Sequence, residues 1–248
     1  MYIPRRTIED KPKIIVFSGA GLDAPSGIRT FRDANGLWNE HMVADVCKQT
    51  SWKENYNLVH DFYNERRGEL KDKEVNHAHK IIQKIYEEYE NDVLNITMNV
   101  SDFFERLEVP VLHLHGHLKK MECVSCGNTW DIGYKEWDVN IDKCPNCNSK
   151  EDVKPAVVFF GGSAGMYTYL HRAMEHTINK NTIVIVIGTQ GSVVNIEKYL
   201  TNTHCKKILC NLEETSEIDV TKIEFDKVYY ESIETAIDKI YKDIKEWL

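Results

Sequence analysis

Six short runs rich in Val, Ile or Leu, at 13–18, 93–97, 110–114, 154–160, 182–188 and 206–212, alternate with amphipathic stretches at 54–70, 76–90, 165–178, 192–201 and 231–247. Apolar runs of that length, without polar alternation, suit strands covered on both faces, and the stretches between them suit the covering helices. The pattern predicts an α/β fold, a doubly wound, Rossmann-like parallel sheet. A chain of 248 residues, 42% of them hydrophobic, can bury such a sheet as one large domain with a small insert. One segment breaks the alternation: 119–152 is polar and carries four of the seven cysteines.

That segment has the clearest metal signature. Cys123-x2-Cys126 and Cys144-x2-Cys147 are 17 residues apart, with Gly127 after the first pair and Pro145 inside the second. Two such knuckles bring four thiolates around one Zn²⁺ at about 2.3 Å, a closed shell with no position left for water, so one structural ion is expected. Cys47, Cys205 and Cys210 lack any such spacing and read as small buried hydrophobes. The cysteines fit a cytoplasmic setting, where thiols stay reduced. MYIPRRTIEDKPK offers no secretory apolar stretch, and no apolar run reaches the roughly 18 residues that span a membrane. A net charge of −8 argues against nucleic acid as a partner, and a monomer is expected.

The first apolar run breaks into Ser18-Gly19-Ala20-Gly21. Small residues there let backbone approach a ligand, and a following helix would turn free N–H groups toward a phosphate, although the third glycine of the dinucleotide fingerprint is missing. Downstream, Val111-Leu112-His113-Leu114-His115-Gly116-His117 puts His113 and His115 on one strand face, and Gly116 would end the strand with an imidazole at a loop mouth. For His113 and His117 a core or solvent-exposed role is the simpler reading.

Ser26-Gly27-Ile28-Arg29-Thr30-Phe31-Arg32, followed by Gly36-Leu37-Trp38, resembles the NAD-binding signature of the sirtuins, the NAD-dependent protein-lysine deacylases. The resemblance continues in order through Asn76-His77-Ala78-His79, the His115-Gly116 pair, the four cysteines, Lys154 to Gly161, Ile187-Gly188-Thr189 and Asn211-Leu212-Glu213. It implies one catalytic domain at 1–248, with a helical insert at 36–77 and a zinc-ribbon module at 119–152 forming a small second lobe. It implies NAD as co-substrate and an acylated lysine in a protein as substrate, with release of nicotinamide and 2′-O-acyl-ADP-ribose.

By the same resemblance His115 is the base for the ribose hydroxyls, and Asn99 positions the ribose or a water. NAD would be held by Gly19, Ala20, Gly21, Thr30, Arg32 and Trp38 at the fingerprint, with Phe31 shielding the reacting face. Ala20, Ile28 and Val100 would wall the nicotinamide. Gly188, Thr189 and Gln190 would hold phosphates, and Asn211, Leu212 and Glu213 the adenosine ribose. Val157, Phe160 and Gly161 would meet the substrate peptide. Tyr63 and Arg66, at i and i+3 on a helical stretch, look like the Tyr-x-x-Arg pair with which class III sirtuins grip succinyl and malonyl carboxylates. The plainer reading puts Tyr63 inward and Arg66 in solvent.

The segment 97–107 departs from the pattern. Met98 stands where sirtuins have the ribose-binding Gln, and Ser101 where they have the Asp that holds the nicotinamide amide; the next carboxylate is Asp102, which a local shift could bring into the pocket. Asp23, Pro25, Gln190 and Gly162 are further differences. They keep two alternatives open: another NAD-consuming enzyme, a glycohydrolase or ADP-ribosyltransferase, or a catalytically weakened NAD or ADP-ribose binder.

Overall fold

The computed structural model describes residues 13–29 and 43–248. Nine strands form two sheets among these residues. The larger contains β1 (Ile14–Ser18), β2 (Val93–Thr97), β3 (Leu112–His113), β7 (Ile183–Ile187), β8 (Lys206–Asn211) and β9 (Lys227–Tyr230), in the order β3-β2-β1-β7-β8-β9. Every adjacent pair is parallel.

The helices are α1 (Ala20–Asp23), α2 (Val43–Val46), α3 (Tyr56–Lys71), α4 (His77–Tyr89), α5 (Phe103–Arg106), α6 (Tyr167–His176), α7 (Glu197–Leu200), α8 (Val220–Ile223) and α9 (Ile233–Trp247). Strand β1 shows why the sheet takes helices on both faces. Ile14 and Val16 pack with α4 and α9 through Ile82, Ile85, Ile237 and Ile240, whereas Ile15 and Phe17 pack with α6 through Leu170 and Met174. Successive side chains point to opposite faces, so a strand apolar at every position needs two covers. None of the described helices is long and apolar enough to cross a membrane.

The second sheet joins β4 (Gly116–Cys123), β5 (Thr129–Asp131) and β6 (Val153–Val157) in the order β5-β4-β6, all antiparallel. Here the expectation for 154–160 needs correction: the run ends at Val157 and pairs with β4, not with the parallel sheet. A short apolar run carries no signal of which sheet it joins, and β4 and β5 lay hidden in the polar segment. Strand β9, largely exposed at the sheet edge, has no counterpart among the expected strands, and the stretch at 192–201 yields only the single turn of α7. A third apolar cluster fills the space between α3 and the second sheet, with Val59, Phe62, Tyr63, Phe103, Leu118, Val157 and Phe159.

Candidate active site

The chain runs from β1 outward to β3 and then returns to the other side of β1 as β7, which puts a topological switch point at the carboxyl ends of β1 and β7. Open α/β sheets bind ligands at such crevices. Here Gly19 donates to the Ile187 carbonyl at 2.9 Å and Gly21 to the Gly188 carbonyl at 2.9 Å. A Cβ on Gly21 would fall 2.5 Å from the Gly188 Cα, so the two strand ends touch only because both residues are glycine. The expected phosphate-facing helix is only the single turn of α1, and the Gly21 amide is already bonded within the chain. Beside it, Thr189 N donates to Asn211 Oδ1 at 3.0 Å while Asn211 Nδ2 donates to Thr189 O at 2.9 Å, lacing β7 to β8. Gln190, Leu212 and Glu213 are exposed at this edge. Ala20 and Ile28 are half-buried nearby, Ile28 against the third cluster. Thr30, Phe31, Arg32 and Trp38 lie outside the described residues.

Residues 98–100 run along the neighbouring strand end. Met98 N donates to Ser18 O, Asn99 Nδ2 donates to Gly19 O at 3.0 Å, and the Val100 carbonyl accepts from Leu118 N at 2.8 Å. The second and third of these bonds tie the segment to the fingerprint loop and to β4 respectively.

His115 sits between β3 and β4. Its Nδ1 is 3.0 Å from the Met98 carbonyl, an acceptor, so Nδ1 carries the proton and Nε2 keeps the lone pair of a base. Burial lowers its pKa from the usual histidine value, partly offset by the Met98 bond. Nε2 lies 2.9 Å from the Tyr167 hydroxyl, which therefore donates to it. Tyr167, the first residue of α6, was not singled out from sequence; 52 residues separate it from His115.

His117 is buried and His113 half-buried, and both rings are engaged, as expected of satisfied core histidines. His113 Nδ1 donates to Asn99 O at 2.8 Å, and its Nε2 lies 2.8 Å from Glu105 Oε1; His117 Nε2 is 3.5 Å from the same oxygen. Burial works to raise the Glu105 carboxyl, but the hydrogen bonds from both imidazoles outweigh it and hold it well below its usual range. The three side chains are close enough to share a metal. However, His117 Nδ1 accepts from Lys119 N at 3.2 Å, which puts the proton on Nε2 and turns away the lone pair a metal needs.

The four cysteines converge. Cys123 and Cys147 sulfurs are 3.6 Å apart, as are those of Cys126 and Cys144, and all four lie within 4.8 Å of one another. Tetrahedral zinc with bonds of about 2.3 Å needs sulfurs about 3.8 Å apart, so the donor set fits the ion. The knuckles are closed alike, by Gly127 N donating to Cys123 O at 2.8 Å and Asn148 N to Cys144 O at 2.9 Å.

A model of the Sir2 family matches residues 19–195. The chain belongs to the Sir2 family. Among its relatives, an NAD-dependent protein deacylase of Campylobacter jejuni (strain NCTC 11168) is 39% identical over 237 residues, 95% of this chain and 97% of that protein. Another, from Helicobacter hepaticus, is 37% identical over 257 residues, covering 95% and 98%. A solved Sir2 homologue–NAD complex superposes with a TM-score of 0.80 at 26% identity, over 97% of this chain and 92% of that one. A mutant Sir2 homologue–ADP-ribose complex gives 0.81 at 26%, over 96% and 94%.

On the acyl side Tyr63 points inward, as the plainer reading has it, but Arg66 is buried and not in solvent. Tyr63 is buried, stacks on Phe159, and shares a hydrogen bond of 3.3 Å with Cys47 Sγ. Burial pushes the Cys47 thiol up to about 11. Arg66 is only 8% exposed, with Nη2 2.5 Å from Glu65 Oε1 and Nε 3.2 Å from Glu69 Oε2. Its Nη1 is buried with no hydrogen-bond acceptor among the described residues. Val157 is buried in the third cluster; Phe160 exposes its ring and bonds through its backbone to Cys47 and Gln49, and Gly161 follows it at the surface.

Asp102 does not reach the ligand side. It is 1% exposed and held by Arg106 at 2.8 Å, Lys119 at 3.1 Å and the Tyr134 hydroxyl. The idea that it replaces the carboxylate missing at Ser101 is therefore overturned.

Proposed function

We propose that the chain uses NAD to remove acyl groups from lysine side chains of proteins, the activity named for its bacterial relatives. The observation that carries the reading is His115: an imidazole with its tautomer fixed by the carbonyl of Met98, the residue after β2, which leaves its basic nitrogen on the other side, against the Tyr167 hydroxyl. NAD, when bound, supplies a ribose from which nicotinamide departs and to which the acyl group passes, leaving as O-acyl-ADP-ribose. His115 Nε2 would take a proton from a ribose hydroxyl, after the Tyr167 hydroxyl has yielded that nitrogen. Asn99 would orient the sugar, its amide held against the fingerprint loop. Gly19, Ala20, Gly21, Thr189 and Asn211 would seat the dinucleotide along the strand ends. The four cysteines would hold a structural zinc, which with four thiolates offers no open position for proton transfer.

The acyl range follows from Arg66. A buried guanidinium N–H with no acceptor among the described residues offers a site for a carboxylate, and Tyr63 lies one turn before it. The reading is therefore desuccinylation alongside deacetylation, with Glu65 and Glu69 holding the guanidinium until the acyl chain arrives.

Incubation with NAD and either acetyl- or succinyl-lysine peptides, followed by mass spectrometry, tests both levels. The expected result is nicotinamide release that requires peptide, with O-acyl-ADP-ribose formed in step. Release without peptide would instead indicate an NAD glycohydrolase, and binding without turnover a sensor. Arg66→Met should lower kcat/KM for the succinyl peptide by about tenfold or more, the worth of a charge-assisted bond, and leave the acetyl peptide nearly unchanged. Equal losses on both peptides would remove the carboxylate role.

A further inference from the structure

Asp23 and Ser101 both depart from the Sir2 pattern, and they depart together. Ser101 occupies the place of the carboxylate that holds the nicotinamide amide, and Asp102 is committed elsewhere. Yet a carboxylate is present at the same point. Asp23, the last residue of α1, is 3% exposed, and its Oδ2 accepts from Ser101 Oγ at 2.6 Å across 78 residues of sequence. Its Oδ1 lies 3.1 Å from His79 Nε2. His79 Nδ1 accepts from Asn76 N at 3.3 Å in the capping box of α4, so the proton is on Nε2 and His79 donates to Asp23.

Two bonds leave the carboxylate with lone pairs to spare, since it offers about four acceptor sites. No lysine or arginine lies within ion-pair distance of Asp23 among the described residues; its one such neighbour is His79. Burying a carboxylate without a cationic partner is unfavourable, and hydrophobic residues could pin α1 to α4 as well. Ser101 is two residues from Asn99, whose amide holds the Gly19 carbonyl four residues before Asp23, so both groups stand within a few residues of the ends of β1 and β2.

The geometry points to Asp23, acting together with Ser101, as the acceptor for the carboxamide N–H of nicotinamide in this chain. This rests on the NAD-dependent reading above. The carboxylate stands on the segment after β1 instead of the segment after β2, and the Ser101–Asp23 hydrogen bond joins the two segments. The ligand group recognised is a primary aromatic carboxamide, free or as the nicotinamide end of NAD.

The test is a swap. Wild type, Asp23→Ser, and Asp23→Ser combined with Ser101→Asp are titrated calorimetrically with ADP-ribose, which lacks the nicotinamide ring, and with NAD; nicotinamide inhibition of deacylation is measured alongside. Asp23→Ser should bind ADP-ribose within about twofold of wild type but weaken nicotinamide inhibition at least about tenfold, as loss of one buried charged acceptor requires. The double variant should recover nicotinamide inhibition to within about threefold of wild type, an interaction term that only coupled residues show. Unchanged nicotinamide inhibition in Asp23→Ser would overturn the inference. So would a double variant that binds ADP-ribose yet stays insensitive, or ADP-ribose and nicotinamide lost and recovered in parallel, which marks a purely structural pin. If Asp23→Ser does not fold, the double variant decides by the same titrations, and its failure to fold also overturns the inference. Wild type binding neither NAD nor ADP-ribose would instead sink the deacylase reading itself.

Discussion

At the scale of single residues, the base nitrogen of His115 is already occupied. Tyr167 donates to Nε2 at 2.9 Å, which favours the neutral imidazole, and burial acts in the same direction. A donor to the lone pair competes with protonation, so removing it raises the pKa of the base in the free enzyme. For Tyr167→Phe the acidic limb of the kcat/KM profile should therefore move to higher pH, while the pH-independent plateau falls little. A profile that keeps its limb and loses only its plateau would make the hydroxyl a packing group. Which residues were legible in the sequence follows from range. The four cysteines sit in a local pattern whose chemistry shows in a few neighbouring letters, whereas His115 and Asn99 were singled out only by the resemblance. Tyr167 with His115, and Asp23 with Ser101, meet across 52 and 78 residues, and each member alone resembles an ordinary helix or loop position. Likewise, the acid that pairs with His113 and His117 belongs to α5, a single turn with no periodic signal.

At the scale of elements, the parallel strands were legible because burial on both faces writes a continuous apolar run, and β1, β2, β7 and β8 fall within a residue or so of expectation. The run at 154–160 has the same composition but opposite pairing, since sheet membership is decided by what lies beside a strand, here β4. That neighbour arises from one residue. Gly116 has φ +87°, and a Cβ there would lie 2.0 Å from the Ala156 carbonyl oxygen. The glycine lets the chain leave His115 and press at once against β6, with Val158 N donating to His115 O at 2.9 Å. Gly116→Ala combines a left-handed backbone with a clash against backbone and should destabilise by about 1–3 kcal/mol, or roughly 2–9 °C in Tm at this chain length. Because the strain falls on the residue after the base, kcat/KM should drop more than the lost folded fraction explains. Thermal melts and kinetics below the transition separate the two effects.

At the scale of the whole molecule, two sheets with different covers share a short path. β4 begins at the residue after His115 and ends at Cys123, so eight residues join the base to the thiolate cluster. Around that cluster Met121, Trp137, Cys144 and Val153 form a core of their own, separate from the clusters on the parallel sheet. So small a core does not hold two antiparallel pairings unaided, and a closed tetrathiolate contributes the missing stability. The parallel sheet, buried between helices on both faces, does not depend on it. Zinc removal by a strong chelator, or Cys144→Ser, should thus loosen the second sheet first. Trp137, 4% exposed beside Cys144, reports that step as a red shift of tryptophan emission. Deacylation should disappear with the shift, because β4 no longer fixes the chain beyond His115, whereas far-ultraviolet circular dichroism from the large sheet and its helices should survive. Re-addition of zinc should restore emission and activity together. If activity outlives both the metal and the shift, β4 holds His115 without the thiolates, and the reach of the zinc ends at its own knuckles.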